Sequence, residues 1–230
     1  MANVDAARIF ARRGLIVSCQ ALEDEPLHGG DTMAKMARAA AHSGAIGIRT
    51  NGVADIRAIK EEVELPVIGL IKRTIPGSDV FITPTLEEVR AIVEAGADIV
   101  ALDVTDREDR LERAAELIAC AHEAGAAVMA DISTFEEGLA AARLGADFIG
   151  TTLSGYTPYS PKLEGPDLGL VARLSEAVRT PVVAEGRIWT PAEAAAALQA
   201  GATYVVVGSA ITRPQLITAR YAEAVRKVVG

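Results

Sequence analysis

Short apolar runs closed by one polar residue recur along the whole chain. Leu15-Ile16-Val17-Ser18-Cys19 ends in Gln20, Ala45-Ile46-Gly47-Ile48 in Arg49, and Val67-Ile68-Gly69-Leu70-Ile71 in Lys72. Ile99-Val100-Ala101-Leu102 ends in Asp103, Ala127-Val128-Met129-Ala130 in Asp131, and Val182-Val183-Ala184 in Glu185. Runs this short and apolar are strands buried on both faces, the mark of a parallel sheet. A charge at the carboxyl end of such a strand is costly unless it faces a polar pocket. In a closed parallel barrel all those ends meet at one rim, where active sites sit. One pattern thus constrains both the fold and the candidate chemistry.

The segments between the runs have helical periodicity. Helices are expected over residues 2–13, 32–43, 53–63, 85–95, 108–124, 134–144, 168–178, 190–200 and 213–229, and two further strands at 148–151 and 204–207. Eight strands, each followed by a helix, after one leading helix, predict an α/β fold: a single (β/α)8 TIM barrel over residues 1–230 with an extra N-terminal helix. An open doubly wound sheet is the competitor. Eight units in 230 residues, against roughly 250 for a typical barrel, favour closure. Ala95-Gly96-Ala97-Asp98, Leu144-Gly145-Ala146-Asp147 and Ala200-Gly201-Ala202-Thr203 each precede a strand, as a weak internal repeat whose Gly turns the chain left-handed past a helix end. Thr85-x-x-Glu88, Thr134-x-x-Glu137 and Thr190-Pro191-x-Glu193 match capping boxes, which assigns these residues to structure rather than chemistry.

Half the residues are hydrophobic but only 4 % are aromatic, and the net charge is −8. That charge argues against a sequence-independent nucleic-acid binder, which needs a basic face. It leaves room for a phosphate ligand, which a local loop can hold. The two cysteines, Cys19 and Cys120, lack framework spacing and read as free thiols of a reducing compartment. Cys19 as a nucleophile near the rim is the weaker alternative. No signal-peptide core is visible, and no run reaches the roughly 20 apolar residues of a membrane span. A cytoplasmic protein with no membrane partner is expected.

Lys72 ends the third expected strand and Glu185 the seventh. In an eight-stranded barrel these face each other across the mouth. Two proton-transfer groups on opposite walls suit inversion of a carbon next to a carbonyl: one removes a proton and the other returns one from the far side. Burial would lower the Lys pKa and raise that of the carboxyl group, whereas close contact between them would do the reverse. The bland alternative for Lys72 is a barrel-end salt bridge. Arg49 suits a fixed anion or an enolate oxygen. Asp131 suits a sugar hydroxyl or the orientation of Lys72, and the bland alternative is an Arg49–Asp131 ion pair holding the rim. Gln20 suits hydroxyl or amide groups of a ligand, or a capping role.

Gly186-Arg187 and Gly208-Ser209 follow the last two strands, where barrels of this kind bind phosphate on backbone N–H groups. Tyr156 lies in a long loop after the sixth strand, which either covers a site or packs. His28, His42 and His122 are scattered, and no HExxH, CxxC or histidine-rich cluster is present, so no metal is expected.

Several long blocks carry a resemblance. They are residues 14–22, Ile48-Arg49-Thr50-Asn51-Gly52, Ile71-Lys72-Arg73, Val80-Phe81-Ile82-Thr83-Pro84-Thr85, Ala130-Asp131-Ile132-Ser133-Thr134, residues 150–157 and Ala184-Glu185-Gly186-Arg187-Ile188. Together, from about Gly14 to Ile211, the chain resembles the bacterial N-acetylmannosamine-6-phosphate 2-epimerase family. The resemblance implies interconversion of N-acetylmannosamine 6-phosphate and N-acetylglucosamine 6-phosphate, in sialic acid and amino-sugar breakdown. It implies no cofactor and a homodimer. It implies that Lys72 and Glu185 are catalytic, that Gln20, Arg49 and Asp131 contact substrate, and that Gly186, Arg187, Gly208 and Ser209 bind phosphate. Two stretches depart from the family: Thr74-Ile75-Pro76-Gly77 after Lys72-Arg73, and the acidic Val104-Thr105-Asp106-Arg107-Glu108-Asp109. Rival readings are another phosphosugar isomerase or a lyase, with Lys72 as a Schiff base, and a non-catalytic phosphosugar-binding protein.

Overall fold

The structure, a computed structural model, describes residues 9–29, 31–73, 82–106 and 109–229. Its strands are β1 (Gly14–Cys19), β2 (Gly47–Asn51), β3 (Val67–Leu70), β4 (Ile99–Asp103), β5 (Ala127–Asp131), β6 (Phe148–Gly150), β7 (Val182–Glu185) and β8 (Tyr204–Val207). They form one closed barrel in sequence order. Closure runs through β8, which pairs parallel with β1 from Gly14↔Tyr204 to Val17↔Val207. The expected TIM barrel is therefore present.

Helices α1 (Thr32–His42), α2 (Val53–Glu62), α3 (Leu86–Glu94), α4 (Arg110–Glu123), α5 (Phe135–Arg143), α6 (Leu168–Ala177) and α7 (Pro191–Gln199) alternate with the strands, and α8 (Ser209–Thr212) and α9 (Pro214–Val229) follow β8. These match the expected helices to within a residue or two, except for α8, whose four residues carry no periodicity to read. Residues 2–8 of the expected leading helix lie outside the described residues, and residues 9–13 form a turn and bends. Thr74-Ile75-Pro76-Gly77 and Arg107-Glu108 also lie outside them.

Strand parity explains the core. Side chains alternate between the two faces of a strand. One set, including Val17, Val67, Val100, Leu102, Val128, Ala130 and Val205, packs outward under the helices. The other, including Ile16, Ile68, Leu70, Ile99, Ala101, Met129, Val183 and Val206, fills the barrel. At the amino-terminal end of the barrel Phe10, Phe148 and Tyr204 close the interior, with ring centroids 4.7–5.9 Å apart. Gly69 faces outward where a Cβ would come within 2.8 Å of Ile92, Ala97 and Ile56, so its absence lets α2 and α3 seat on β3.

The three capping boxes form as expected, with Thr85, Thr134 and Thr190 accepting from the backbone N–H of Glu88, Glu137 and Glu193. The Gly of each repeat is left-handed, at φ 98° for Gly96, 89° for Gly145 and 108° for Gly201. The repeat's aspartates have a role that its Gly and Ala did not reveal. Each grips the first or second residue of the preceding strand from both sides: the Asp98 N–H donates to Val67 O (3.0 Å) and Asp98 Oδ2 accepts from Val67 N (2.8 Å). Asp147 does the same to Val128, and His122 Nε2 lies 2.7 Å from its carboxylate.

Helix α9 has no buried residue. Tyr221, Val225, Val228 and Val229 are all more than half exposed. Among the described residues no helix is long and apolar enough to cross a membrane.

Candidate active site

Parity also builds the site. Counting in twos from the inward residues of each strand reaches Gln20, Arg49, Lys72, Asp103, Asp131, Thr152, Glu185 and Gly208 at the carboxyl ends. All of these but Asp131 line a cavity of about 660 Å³ at the mouth of the barrel; Asp131 lies fully buried just beneath it. That volume falls within the roughly 300–1,000 Å³ of small-ligand sites.

Arg49 is 1 % exposed and anchors the floor of the cavity. Its guanidinium grips Asp131 with two bonds, Nη1 to Oδ1 at 3.1 Å and Nη2 to Oδ2 at 2.6 Å. Nη1 also lies 3.3 Å from Glu185 Oε2. The ion pair weighed as the bland alternative for Arg49 and Asp131 therefore exists, and Glu185 extends it. Arg49 Nε has no hydrogen-bond partner among the described residues.

Two adjacent hydroxyls fix Glu185. Thr151 Oγ1 accepts from the Glu185 N–H and donates to Glu185 O, both at 3.1 Å. Thr152 Oγ1 lies 2.6 Å from Asp131 Oδ1 and 3.2 Å from Glu185 Oε2. The expectations did not include Thr152, although it lies four residues beyond Phe148 with the same parity.

Lys72 sits at the end of β3, opposite Glu185. Its backbone N–H donates to Asn51 Oδ1 at 2.8 Å, and it bridges to Ile82. The neighbouring Ile71 accepts from the N–H of Thr83, a fully buried residue in left-handed backbone at φ 48°. A β-branched side chain there is a strained position of the kind held at functional sites. Lys72 Nζ makes no ion pair within 4.0 Å with Asp131 or Glu185, both of which pair instead with Arg49.

The competition between burial and contact is thereby settled. Burial is the largest influence on Lys72, and Arg49 adds to it; together they outweigh Glu185 and bring the amine down to about 8. Burial likewise pushes the Glu185 carboxyl up to about 7, aided by Asp131 and opposed by Arg49 and Lys72. Two groups that are ordinarily of fixed charge become able to exchange a proton near neutrality.

Gln20 is buried beside them, donating to Ser18 Oγ at 2.8 Å, while its Oε1 has no hydrogen-bond partner among the described residues. Gly186, at φ 104°, and Arg187, at φ 55°, turn the chain after β7. Arg187 lines the cavity, and its guanidinium donates to Ser154 O and to Gly165 O, the latter at 2.9 Å, and lies over the Tyr156 ring. Its side chain braces the loop after β6. Gly208 caps α8, whose first amides have no intrahelical acceptor. Thr212 Oγ1 ties that helix to Ser18 O at 2.7 Å. Arg213 also lines the cavity and pairs with Glu25 at 2.8 Å, a contact across the barrel seam that no local pattern signals.

The loop after β6 both packs and covers. Tyr156 lines the mouth, and beneath it Thr157 Oγ1 donates to Ser160 Oγ at 2.7 Å while the Ser160 hydroxyl accepts from Gly155 N at 2.8 Å. None of His28, His42 and His122 lines the cavity. Cys19 faces outward beneath the helices; burial pushes its thiol up to about 12, so it is a packing residue rather than a nucleophile. Among the described residues no group of three or more His, Cys, Asp or Glu side chains is placed to hold a metal ion.

A family model described as "Putative N-acetylmannosamine-6-phosphate epimerase" matches residues 33–227. A protein of Caldanaerobacter subterraneus named "Putative N-acetylmannosamine-6-phosphate 2-epimerase" is 55 % identical over 222 residues, covering 93 % of this chain and 92 % of that protein. A Clostridioides difficile protein of the same name is 50 % identical, covering 92 % and 95 %. The solved structure of the N-acetylmannosamine-6-phosphate 2-epimerase from Clostridium perfringens superposes with a TM-score of 0.90 at 47 % identity, covering 95 % of each chain.

Proposed function

The chain belongs to the N-acetylmannosamine-6-phosphate epimerase family, and on that premise we propose that Lys72 and Glu185 move the proton on carbon 2 of its sugar. Inverting carbon 2 of N-acetylmannosamine 6-phosphate gives N-acetylglucosamine 6-phosphate, and the protein is an isomerase that interconverts the two. The observation that carries the assignment is the placement of two groups with opposed pKa shifts on facing walls of one cavity, above a buried arginine.

The aldehyde of the open-chain sugar acidifies the carbon-2 proton. The neutral Lys72 amine takes that proton, and the C–H electron pair forms the C1–C2 double bond of an enolate. Lys72, now an ammonium ion, and Arg49 face the enolate oxygen. The protonated Glu185 carboxyl delivers its own proton to carbon 2 from the opposite face, and the double bond returns to the aldehyde. The other sugar is converted by the reverse assignment, with Glu185 as base and the Lys72 ammonium as acid. Gln20 Oε1 accepts from the sugar's hydroxyl or amide. The phosphate lies against the backbone amides of Gly186, Arg187, Gly208 and Ser209, where glycine lets an anion approach closely.

Both directions need the Lys72–Glu185 pair to hold one proton. The pair binds two protons below about 7 and none above about 8. A bell-shaped kcat/KM with its maximum between those limits is therefore expected in both directions. A second reading rests on the contacts of Glu185 Oε2 with Arg49 and Thr152, which restrain it while Lys72 Nζ makes no ion pair among the described residues. Lys72 alone would then remove and return the proton, and activity would rise through about 8 to a plateau. The basic test of function is proton NMR in D₂O without added metal or nucleotide. Product carrying deuterium at carbon 2 supports the assignment; absence of both conversion and exchange from folded protein refutes it.

We also infer a homodimer, supported by the uncovered apolar residues of α9; sedimentation as a single chain of 24.0 kDa would contradict it. A cytoplasmic location follows from the substrate, since a sugar phosphate stays on the side of a bilayer where it is made.

A further inference from the structure

Two carboxylates meet one hydroxyl at the end of β6. A threonine hydroxyl has one proton to donate and two lone pairs to accept with. Both Asp131 oxygens accept from the Arg49 guanidinium, so in its other contacts this carboxylate is an acceptor. Its 2.6 Å contact with Thr152 Oγ1 therefore requires the threonine proton. That proton is then unavailable to the 3.2 Å contact between Thr152 Oγ1 and Glu185 Oε2. This second contact is a hydrogen bond only when Glu185 supplies the proton.

We propose that Thr152 is a positioning residue that holds Glu185 in its protonated form, through a directed chain from the Glu185 carboxyl to the Thr152 oxygen and from the Thr152 hydroxyl to Asp131. Gly150 makes the arrangement possible. A Cβ at that position would lie 3.0 Å from both Asp131 Oδ1 and Thr152 Oγ1, and would overlap the Met129 methyl group. The charged groups facing Glu185 are Arg49 from β2, Lys72 from the end of β3 and Asp131 from β5. Arg49 and Lys72 favour the carboxylate, while Asp131 and burial favour the acid. A Thr152 hydroxyl that donates to Glu185 favours the carboxylate; with its proton held by Asp131 it can only accept, and an acceptor favours the acid. The chain also fixes the orientation of the Glu185 carboxyl.

The inference rests on Glu185 as a proton-transferring group, but its test does not need turnover. Glutamate labelled with ¹³C at the carboxyl carbon, with the Glu185 signal assigned by its loss in Glu185→Gln, gives the titration of this residue in ligand-free protein. Thr152→Val removes the acceptor and keeps the shape, and Asp131 stays neutralised by Arg49. The Glu185 midpoint is expected to fall by about one pH unit, a tenfold loss of proton affinity. Thr152→Ser is expected to restore it. In turnover, kcat falls about tenfold in the valine variant with KM unchanged, and the acidic limb of the pH profile moves down with the NMR midpoint. A midpoint that stays or rises in Thr152→Val overturns the proposal, as does a serine variant that titrates like valine. If the valine variant does not fold, the comparison of Thr152→Ser with Thr152→Ala makes the same distinction. A failed deuterium-exchange test with the expected NMR shifts would remove the epimerase reading and leave the hydroxyl chain standing.

Discussion

Lys72→Ala is expected to lower kcat/KM by about 10³- to 10⁴-fold and to abolish deuterium incorporation at carbon 2. A positioned acid or base contributes roughly 10²- to 10⁴-fold, and in the proposed mechanism Lys72 takes the proton and then, as an ammonium ion, faces the enolate oxygen. The substituted protein should fold as well as the native one. Lys72 Nζ forms no ion pair with Asp131 or Glu185, and burying its charge is unfavourable, as the depressed pKa shows. Deleting it therefore costs packing along the side chain and relieves desolvation. Parallel thermal melts and NMR exchange assays check the two halves together. Activity within tenfold of native removes Lys72 from the chemistry, and a lost melting transition shows a structural role instead.

Asp131→Ala is expected to do the opposite and damage stability first. It strands the Arg49 guanidinium, 1 % exposed, among Met129, Glu185 and the barrel core. Removing one partner of a buried pair typically costs about 3–5 kcal/mol, because the remaining charge has lost its compensation. Asp131→Asn keeps the shape and loses the charge, so a smaller loss of about 1–3 kcal/mol is expected. In the asparagine variant Arg49 has Glu185 as its remaining carboxylate partner and holds it ionised, which lowers the Glu185 midpoint and weakens delivery of the proton. Urea unfolding gives the energies. An alanine variant within about 0.5 kcal/mol of native would show that the pair is not the anchor of the site.

Much of this was legible from periodicity. A polar residue closing a strand with inward parity placed Gln20, Arg49, Lys72, Asp131 and Glu185 at the carboxyl end of the barrel, because a two-residue repeat settles facing without any knowledge of neighbours. Capping boxes were legible because they are local. The unread features depend on contacts between distant segments. Thr152 had the right parity, but its role needs Asp131 and Glu185 from two other strands. The Arg187 guanidinium bonds to Ser154 O and Gly165 O, carbonyls of a loop after another strand that its local setting does not reveal. The Arg213–Glu25 pair spans almost the whole chain, and α8 is too short to show a period. The winning effect on the Lys72 and Glu185 pKa values also had to await the structure, since it turned on Arg49 drawing both carboxylates away from Lys72.

The aromatic seal of Phe10, Phe148 and Tyr204 turns the barrel into a vessel with one door. On the proposed mechanism sugar enters and leaves through the mouth, and so does the water that trades protons with Lys72 and Glu185. The loops at that mouth thus act as one toll on two kinds of traffic. A loop change that slows departure of the sugar gives each proton more time to swap with solvent, so the ratio of isotope wash-in to net conversion becomes a clock for how long the door stays shut.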